Sequence, residues 1–510
     1  MAQPLDIKKI AMIGCGSMGG GMALLFAEHE VQVSLQDPSD AAMDKVVAQA
    51  RDSSTIPAGA VRKYSNYETL CASLDSPKVF VFSLPHGSVG DTVLGGLMPY
   101  LDKGDIIIDA GNENWQNTER RQAKCYTRGV RYVGMGVSGG YQAARQGPSM
   151  CPGGDDESLD LVLPLLRKVA AKDKNGAPCV GKAGTGGAGH YVKMIHNGIE
   201  HGMISAVSEA YGIMKSGLGM GNDEIGDVFE RWNSRGELQG TFLVWIGADI
   251  CRAKDKARNN ESVLDTVEDK VVQDITGEEG TGIWSNEQAV FHHIPAPTLT
   301  TAHYLRLASA DRNQRIRAQQ TMGAAFPPQP LSLSGQAKQD FLEALRQATY
   351  AAFLTSYIQG VNIIERADRT NHWNIDYAAV LQIWRSGCII QADHIASLLH
   401  PVFANHKALD TINLLFQKSV MADLKPCVAP LRDVVVRATA ADHVLPALSA
   451  SLEYVKYQTS TELPMSFAEA QLDYFGAHMY DRKGEEGTGA PTEGKHHFEW
   501  KPAKSSITGA

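Results

Sequence analysis

None of the eight cysteines forms a Cys-x-x-Cys pair, which argues against a zinc ribbon or a disulfide framework. Scattered as they are, they read as reduced, mostly buried thiols of an intracellular protein. No apolar run reaches the length of a membrane span. The opening MAQPLDIKKI lacks the apolar stretch of a signal peptide, and the closing SITGA carries no lipidation or retention signal. A cytoplasmic protein is the expectation. Positive charge is not in excess either: 48 Lys and Arg face 57 Asp and Glu, for a net charge of -9. That argues against a nucleic-acid groove, which needs a basic face. It leaves room for a local basic pocket holding an anionic substrate.

What is present is an ordinary globular composition, 43% hydrophobic and 21% charged over 510 residues, enough for two or three domains. The first third alternates strand and helix patterns. IKKIAMI (7–13), VQVSL (31–35), KVFVFSLP (78–85), DIIIDAG (105–111) and RYVGMGVSGG (131–140) read as strands. Helix patterns stand between them, which predicts a parallel, doubly wound α/β sheet. GKAGTGGAG (181–189) reads as a glycine-rich hinge. Beyond it strand signals nearly vanish, and 3.6-residue apolar periodicity over 190–220, 336–365 and 377–400 predicts a large all-α domain. The end of the chain, KGEEGTGAPTEGKHHFEWKPAKSSITGA, cannot bury a core alone, so it is disordered or docked on another surface.

The first strand runs into Gly14-Cys15-Gly16-Ser17-Met18-Gly19, a G-x-G-x-x-G between a strand and a helix. In that context the glycines allow a tight turn, approach of a pyrophosphate and helix–strand packing. Free amides at the helix start then face the phosphates. Asp37, ending the second strand, stands where an acidic residue binds the adenosine ribose hydroxyls. Its charge would repel a 2′-phosphate, so NAD is expected rather than NADP. The plainer role for Asp37 is to cap the turn before Pro38. Leu84, Pro85 and Asn112, at the ends of later strands, complete the expected cofactor contacts.

The chemistry is expected on HYVKMIHNGIE (190–200). Lys193, His196, Asn197 and Glu200 fall on one helical face. A solvated Lys–Glu stripe would use the same spacing, but Val192, Met194, Ile195 and Ile199 predict a largely buried helix. Buried Lys and Glu are costly unless paired or functional. Burial would make the amine a neutral base and the carboxyl a protonated acid. Ser138, Gly139 and Gly140 offer a hydroxyl and consecutive amides suited to a carboxylate. Asn112, in DAGN, sits at a strand end where α/β sheets hold ligands.

Together these segments resemble 6-phosphogluconate dehydrogenase, within the β-hydroxyacid dehydrogenase superfamily. The most specific pieces are IDAGNENW (108–115), GVSGGYQAARQGPSMCPGG (136–154), GAGHYVKMIHNGIEHG (187–202), GTGIW (280–284), IWRSGCII (383–390) and DYFGAHMY (473–480). The resemblance implies a Rossmann domain over 1–182 and an all-helical substrate and dimerisation domain over 183–445. A C-terminal helix and tail, 446–510, would reach into the partner of a homodimer. It implies Lys193 as the base that takes the C3 hydroxyl proton as hydride leaves C3. The 3-keto acid then loses carbon dioxide, and Glu200 protonates C1 of the enediol. Ser138, Gly139 and Gly140 would hold the substrate carboxylate. Asn112, His196 and Asn197 would contact the substrate and the nicotinamide end. No metal is called for, because the ketone is the electron sink.

The chain also departs from that pattern. Relatives that use NADP carry an Arg after the second strand, where this chain has Asp37. Around the substrate phosphate, Arg306 and the tail's His478 match the family, but the tyrosine after the acid is His201. The lysine before GTG is Glu279, the arginine before DYFGAH is Leu472, and a glutamate after the Ser-Gly-Gly loop is Tyr141. Charge-assisted phosphate contacts contribute about 1.5–3 kcal/mol each, so an unphosphorylated aldonate fits the retained chemistry better. The alternatives are 6-phosphogluconate with a phosphate site rebuilt around Arg306, His201 and His478, a non-decarboxylating β-hydroxyacid dehydrogenase, and a non-catalytic NAD-binding paralogue.

Overall fold

The computed structural model describes residues 6–276, 280–409, 411–484, 494 and 496–500. The chain forms two compact units, Met1–Tyr454 and Val455–Ala510.

The first unit opens with a seven-stranded sheet: β1 (Lys9–Ile13), β2 (Gln32–Gln36), β3 (Val61–Lys63), β4 (Val79–Phe82), β5 (Ile106–Asp109), β6 (Arg131–Ser138) and β7 (Ser149–Gly153). Their order is β3-β2-β1-β4-β5-β6-β7. All neighbours are parallel except the β6–β7 pair. This is the dinucleotide-binding order, and its crevice lies at the strand carboxyl ends where the order reverses, beside β1 and β4. β4 (VFVF) and β5 (IIID) are buried throughout, as expected of strands covered on both faces. Alternate residues serve the two faces. Ile10, Met12, Val81 and Ile108 join one core, while Ala11, Ile13, Phe80 and Ile107 join the other.

The helices that follow these strands are α1 (Ser17–Glu28), α2 (Asp40–Asp52), α3 (Tyr67–Ala72), α4 (Ser88–Leu97), α5 (Trp115–Tyr126), α6 (Gly140–Gln146) and α7 (Asp156–Val169). Two strands escape the sequence pattern. β3 is VRK, with one apolar residue, and β7 is SMCPG, whose Pro and Gly argue against a strand. The series therefore closes on an antiparallel edge strand, not on β6.

The hinge feeds α8 (Ala188–Gly212). Beyond it the described residues of the first unit form helices joined by loops, with one pair of two-residue strands, Lys254–Asp255 with Glu261–Ser262. A helix of 37 residues, Gly335–Asn371, covers the expected 336–365 segment. The 377–400 segment is not one helix. It divides into Tyr377–Ile383 and Asp393–Ala404, and the break carries Gly387 at φ +71°. The Gly387 carbonyl accepts the Ser149 amide at 3.1 Å, so this break is tied to β7.

In the second unit the helix Ser466–Gly476 carries a buried Asp473. Its carboxylate accepts from the Met479 and Phe498 amides (3.1 Å each), His497 Nδ1 (2.9 Å) and Trp500 Nε1 (2.8 Å). Residues 496–500 thus fold back on that helix. The rest of the expected tail, 485–493, 495 and 501–510, lies outside the described residues.

Candidate active site

A cleft of about 580 Å³ opens at the carboxyl ends of the strands. Met18, Leu84, Pro85 and Asn112 line it together with Ser138, Gly139, Gly140, Lys193, Asn197, Glu200, His201 and Arg306. The fold therefore gathers into one cavity residues read from six separate stretches of sequence.

The glycine loop lies beside this cleft. Gly14 has φ +94°, and a Cβ there would fall 2.2 Å from the Ser83 carbonyl oxygen, so only glycine fits. Gly16 has no neighbour within 4 Å of a Cβ position. No side chain caps the α1 N-terminus that it begins. An open glycine before uncapped helix amides fits the pyrophosphate of a dinucleotide. Asp37 does two things here. Oδ1 accepts the Ser39 amide at 2.8 Å, the turn-capping role, and Oδ2 accepts the Cys15 amide at 2.7 Å. The carboxylate is thereby tied to the glycine loop itself. Burial and the Asp37 charge push the Cys15 thiol up to about 12, so it stays protonated.

α8 crosses the sheet close to β6. A Cβ on Gly136 would lie 2.2 Å from that of Lys193, so this glycine lets the helix reach the strand. Lys193, buried, donates from Nζ to Ser138 Oγ (2.8 Å) and to Asn197 Oδ1 (2.7 Å). His196 Nδ1 also points to Asn197 Oδ1 (3.1 Å), and its Nε2 is 3.5 Å from Ser138 Oγ. Asn197 Nδ2 donates to Thr281 Oγ1 at 2.8 Å. Burial, reinforced by Lys193, holds the His196 pKa well below its ordinary value, so the ring is neutral. Nδ1 then carries the proton it gives to Asn197. His196 does not line the cleft. It stands behind Ser138 and Asn197 and orients them. Glu200 is half-buried, with Oε2 3.9 Å from His196 Nδ1.

The far end of the cleft is built differently. Arg306 Nε donates to Asp274 Oδ2 at 3.1 Å, and the Asp274 side chain is 1% exposed. Arg306 Nη1 meets His201 Nε2. A guanidinium can only donate, so His201 accepts there and its proton sits on Nδ1, which is buried with no hydrogen-bond partner among the described residues. Burial first, then the Arg306 charge, hold His201 well below its ordinary pKa. Among the described residues, this end therefore offers the Arg306 cation, already faced by a buried carboxylate, and a neutral imidazole.

His478 and Leu472 belong to the second unit, where they are exposed, and Tyr141, in the first unit, is exposed as well. Glu279 lies outside the described residues. Sequence reasoning missed Asp274, which joins Arg306 only through the fold. It also missed Thr281 and Ile389, although GTGIW and IWRSGCII flagged their segments, and His86, whose ring packs edge-on against Trp284 at 5.2 Å.

Two family models match the chain: the NAD binding domain of 6-phosphogluconate dehydrogenase over residues 9–184, and the 6-phosphogluconate dehydrogenase C-terminal domain over 189–500. A decarboxylating 6-phosphogluconate dehydrogenase from Emericella nidulans is 43% identical over 503 residues, covering 96% of this chain and 100% of that protein. The Escherichia coli enzyme of the same name is 33% identical, covering 97% and 99%. The solved Plasmodium falciparum 6-phosphogluconate dehydrogenase superposes with a TM-score of 0.84 at 32% identity, covering 94% of this chain and 98% of that one. That protein is described with NADP+ as its cofactor and 6-phosphogluconate as its substrate.

Proposed function

This chain belongs to the 6-phosphogluconate dehydrogenase family, and from that premise we propose that it is an NAD-linked dehydrogenase that oxidatively decarboxylates a sugar acid of the 6-phosphogluconate class. The products are a ketose, carbon dioxide and NADH. The observation that carries the reading is the Lys193 amine, held by Ser138 Oγ and Asn197 Oδ1 in the same cleft as Met18, Leu84 and Pro85. When bound, the dinucleotide supplies the hydride acceptor, with Gly14, Gly16, Ser17, Met18 and Gly19 around its pyrophosphate. Lys193 removes the proton of the C3 hydroxyl as C3 gives up its hydride to that acceptor, so that C3 becomes a ketone. Ser138 and the Gly139 and Gly140 amides hold the carboxylate until the C1–C2 bond breaks and carbon dioxide leaves. Glu200 then delivers a proton to the enediol at the substrate's former C2, which becomes C1 of the ketose. Asn197, fixed by Thr281 and His196, keeps the lysine aimed. General acid–base groups of this kind contribute about 10²–10⁴ in rate each.

The Asp37 carboxylate supports NAD over NADP through its repulsion of a 2′-phosphate. The curated relatives support 6-phosphogluconate as substrate. A second reading, an unphosphorylated aldonate, is favoured by one observation: the Arg306 charge is already faced by Asp274. Initial rates of NADH and NADPH formation with 6-phosphogluconate and a panel of unphosphorylated aldonates decide both points. Turnover of 6-phosphogluconate alone removes the second reading, and turnover of the aldonates alone removes the first. A faster rate with NADP removes the Asp37 argument.

The proposal includes a homodimer in which the tail, with His478, completes the partner's site. The exposed Phe467, Tyr474 and Phe475 on the second unit's helix support it. A chain truncated before Gln471 is expected to lose most activity; a fully active truncated monomer would remove the shared site.

A further inference from the structure

Helix α5 gives no side chain to the cleft, yet its polar residues reach two of the cleft's walls. Arg121 is 1% exposed. Its Nη1 donates to Glu113 (2.7 Å) and Asp109 (3.4 Å), and its Nη2 to the Gly87 carbonyl (2.6 Å). Nε and Nη2 also reach Asp91, at 3.3 and 3.4 Å. Glu113 in turn accepts the Gly87 amide at 3.0 Å. One ion pair thus holds both the N–H and the C=O of Gly87. Gly87 ends the segment Leu84-Pro85-His86, and Asp109 and Glu113 bracket Ala110-Gly111-Asn112. All six of these loop residues line the cleft.

Neighbouring α5 side chains turn the other way. Thr118 Oγ1 bonds His190 Nδ1 at 2.7 Å. Glu119 accepts the Gly187 amide at 3.1 Å, and Gln122 donates to the Gly186 carbonyl at 3.0 Å. Gly187 and His190 belong to the start of α8, a turn before Lys193. A buried arginine among three carboxylates is a poor way to gain stability, since desolvation consumes most of the attraction. What a fully satisfied network gives is a fixed geometry.

We propose that α5 sets the spacing between the nicotinamide-facing loops and Lys193, with Arg121 as the positioning residue on the cofactor side. Arg121 acts through Gly87, Asp109 and Glu113. The inference rests on the dinucleotide reading above.

Two variants test it. Arg121→Lys keeps the charge and loses the fork. Gly90→Ala leaves Arg121 in place but puts a Cβ 2.6 Å from its Cζ, displacing the guanidinium from the α4 side. For each, binding is measured for the dinucleotide that the wild type prefers and for its ADP-ribose portion (2′-phosphorylated if the preference is NADP), together with kcat, KM and Tm. Dinucleotide affinity and kcat are expected to fall at least tenfold, with ADP-ribose binding within twofold of wild type. That split follows because the network's bonds end at Gly87 and Glu113, not at the glycine loop. Parallel losses for both ligands, or no loss in a folded variant, overturn the proposal. Should Arg121→Lys not fold, Gly90→Ala decides alone. A wild type that binds neither ligand overturns the dinucleotide reading, and the proposal with it.

Discussion

Helix α8 carries two carboxylates that the fold treats in opposite ways. Glu200 keeps 21% of its side chain exposed and lines the cleft. Glu209, one face further along, is 4% exposed and closed off. It accepts Ser205 Oγ (2.7 Å) and the Ala447 and Leu448 amides (2.8 and 2.9 Å) at the start of the helix Pro446–Thr459. Burial pushes its pKa up to about 7. The cost of burying charge, which is the sequence argument for Lys193 and Glu200, would select Glu209 first. What separates them is access: Glu209 has its donors within the fold, while Glu200 and Lys193 border a cavity that a substrate can enter.

The sharpest way to break this contrast is at the cleft end. Lys193→Met is expected to lower kcat by about 10⁴-fold, the upper range for a general base, with dinucleotide binding unchanged. Turnover near the wild-type rate would remove Lys193 as the base. Next comes the matched pair. Glu200→Gln is expected to cost about 10²-fold in kcat at unchanged Tm, whereas Glu209→Gln should leave kcat within a few-fold. If the two substitutions affect activity equally, access to the cleft is not the distinction. A smaller effect is expected at the terminal end. Asp274→Asn removes one negative charge facing Arg306 and should raise the preference for a phosphorylated over an unphosphorylated acid about tenfold in kcat/KM, the scale of one charge-assisted contact. An unchanged ratio in a folded variant would mean that Asp274 does not govern terminal-group choice.

The readable parts of this molecule are those written in local periodicity. The continuous apolar runs of β1, β4 and β5, buried nearly throughout, and the glycine loop before α1 announce the dinucleotide fold. The 3.6-residue face of HYVKMIHNGIE by itself places Lys193 and Asn197 together. The unreadable parts are pairings across distant elements. Asp274 meets Arg306 only because the short helix Gln273–Thr276 packs by Pro297–Ala310. The Cys15 amide meets Asp37 because β1 and β2 end in register. Arg121 looks from sequence like a surface residue of an ordinary amphipathic helix, and only the crossing of two strand-end loops shows that it is enclosed. His196 shares the lysine's face by spacing, yet its ring is turned behind Ser138 instead of into the cleft.

The smallest expected effect is on stability, and it isolates Glu209. A carboxyl whose folded pKa is raised from 4.5 to about 7 binds a proton more readily folded than unfolded. Its contribution to stability is fully present below about pH 4.5 and is lost as pH rises through 7. In that window the slope is at most about 1.4 kcal/mol per pH unit, one proton's worth. Glu209→Gln keeps the shape and one of the two acceptor oxygens but cannot ionise, so its stability between pH 5 and 7.5 should fall less steeply than the wild type's. Denaturant midpoints across this range read the difference directly. A wild type and a Glu209→Gln variant with the same slope would mean that Glu209 already ionises freely, and that its two amides and one hydroxyl outweigh its burial.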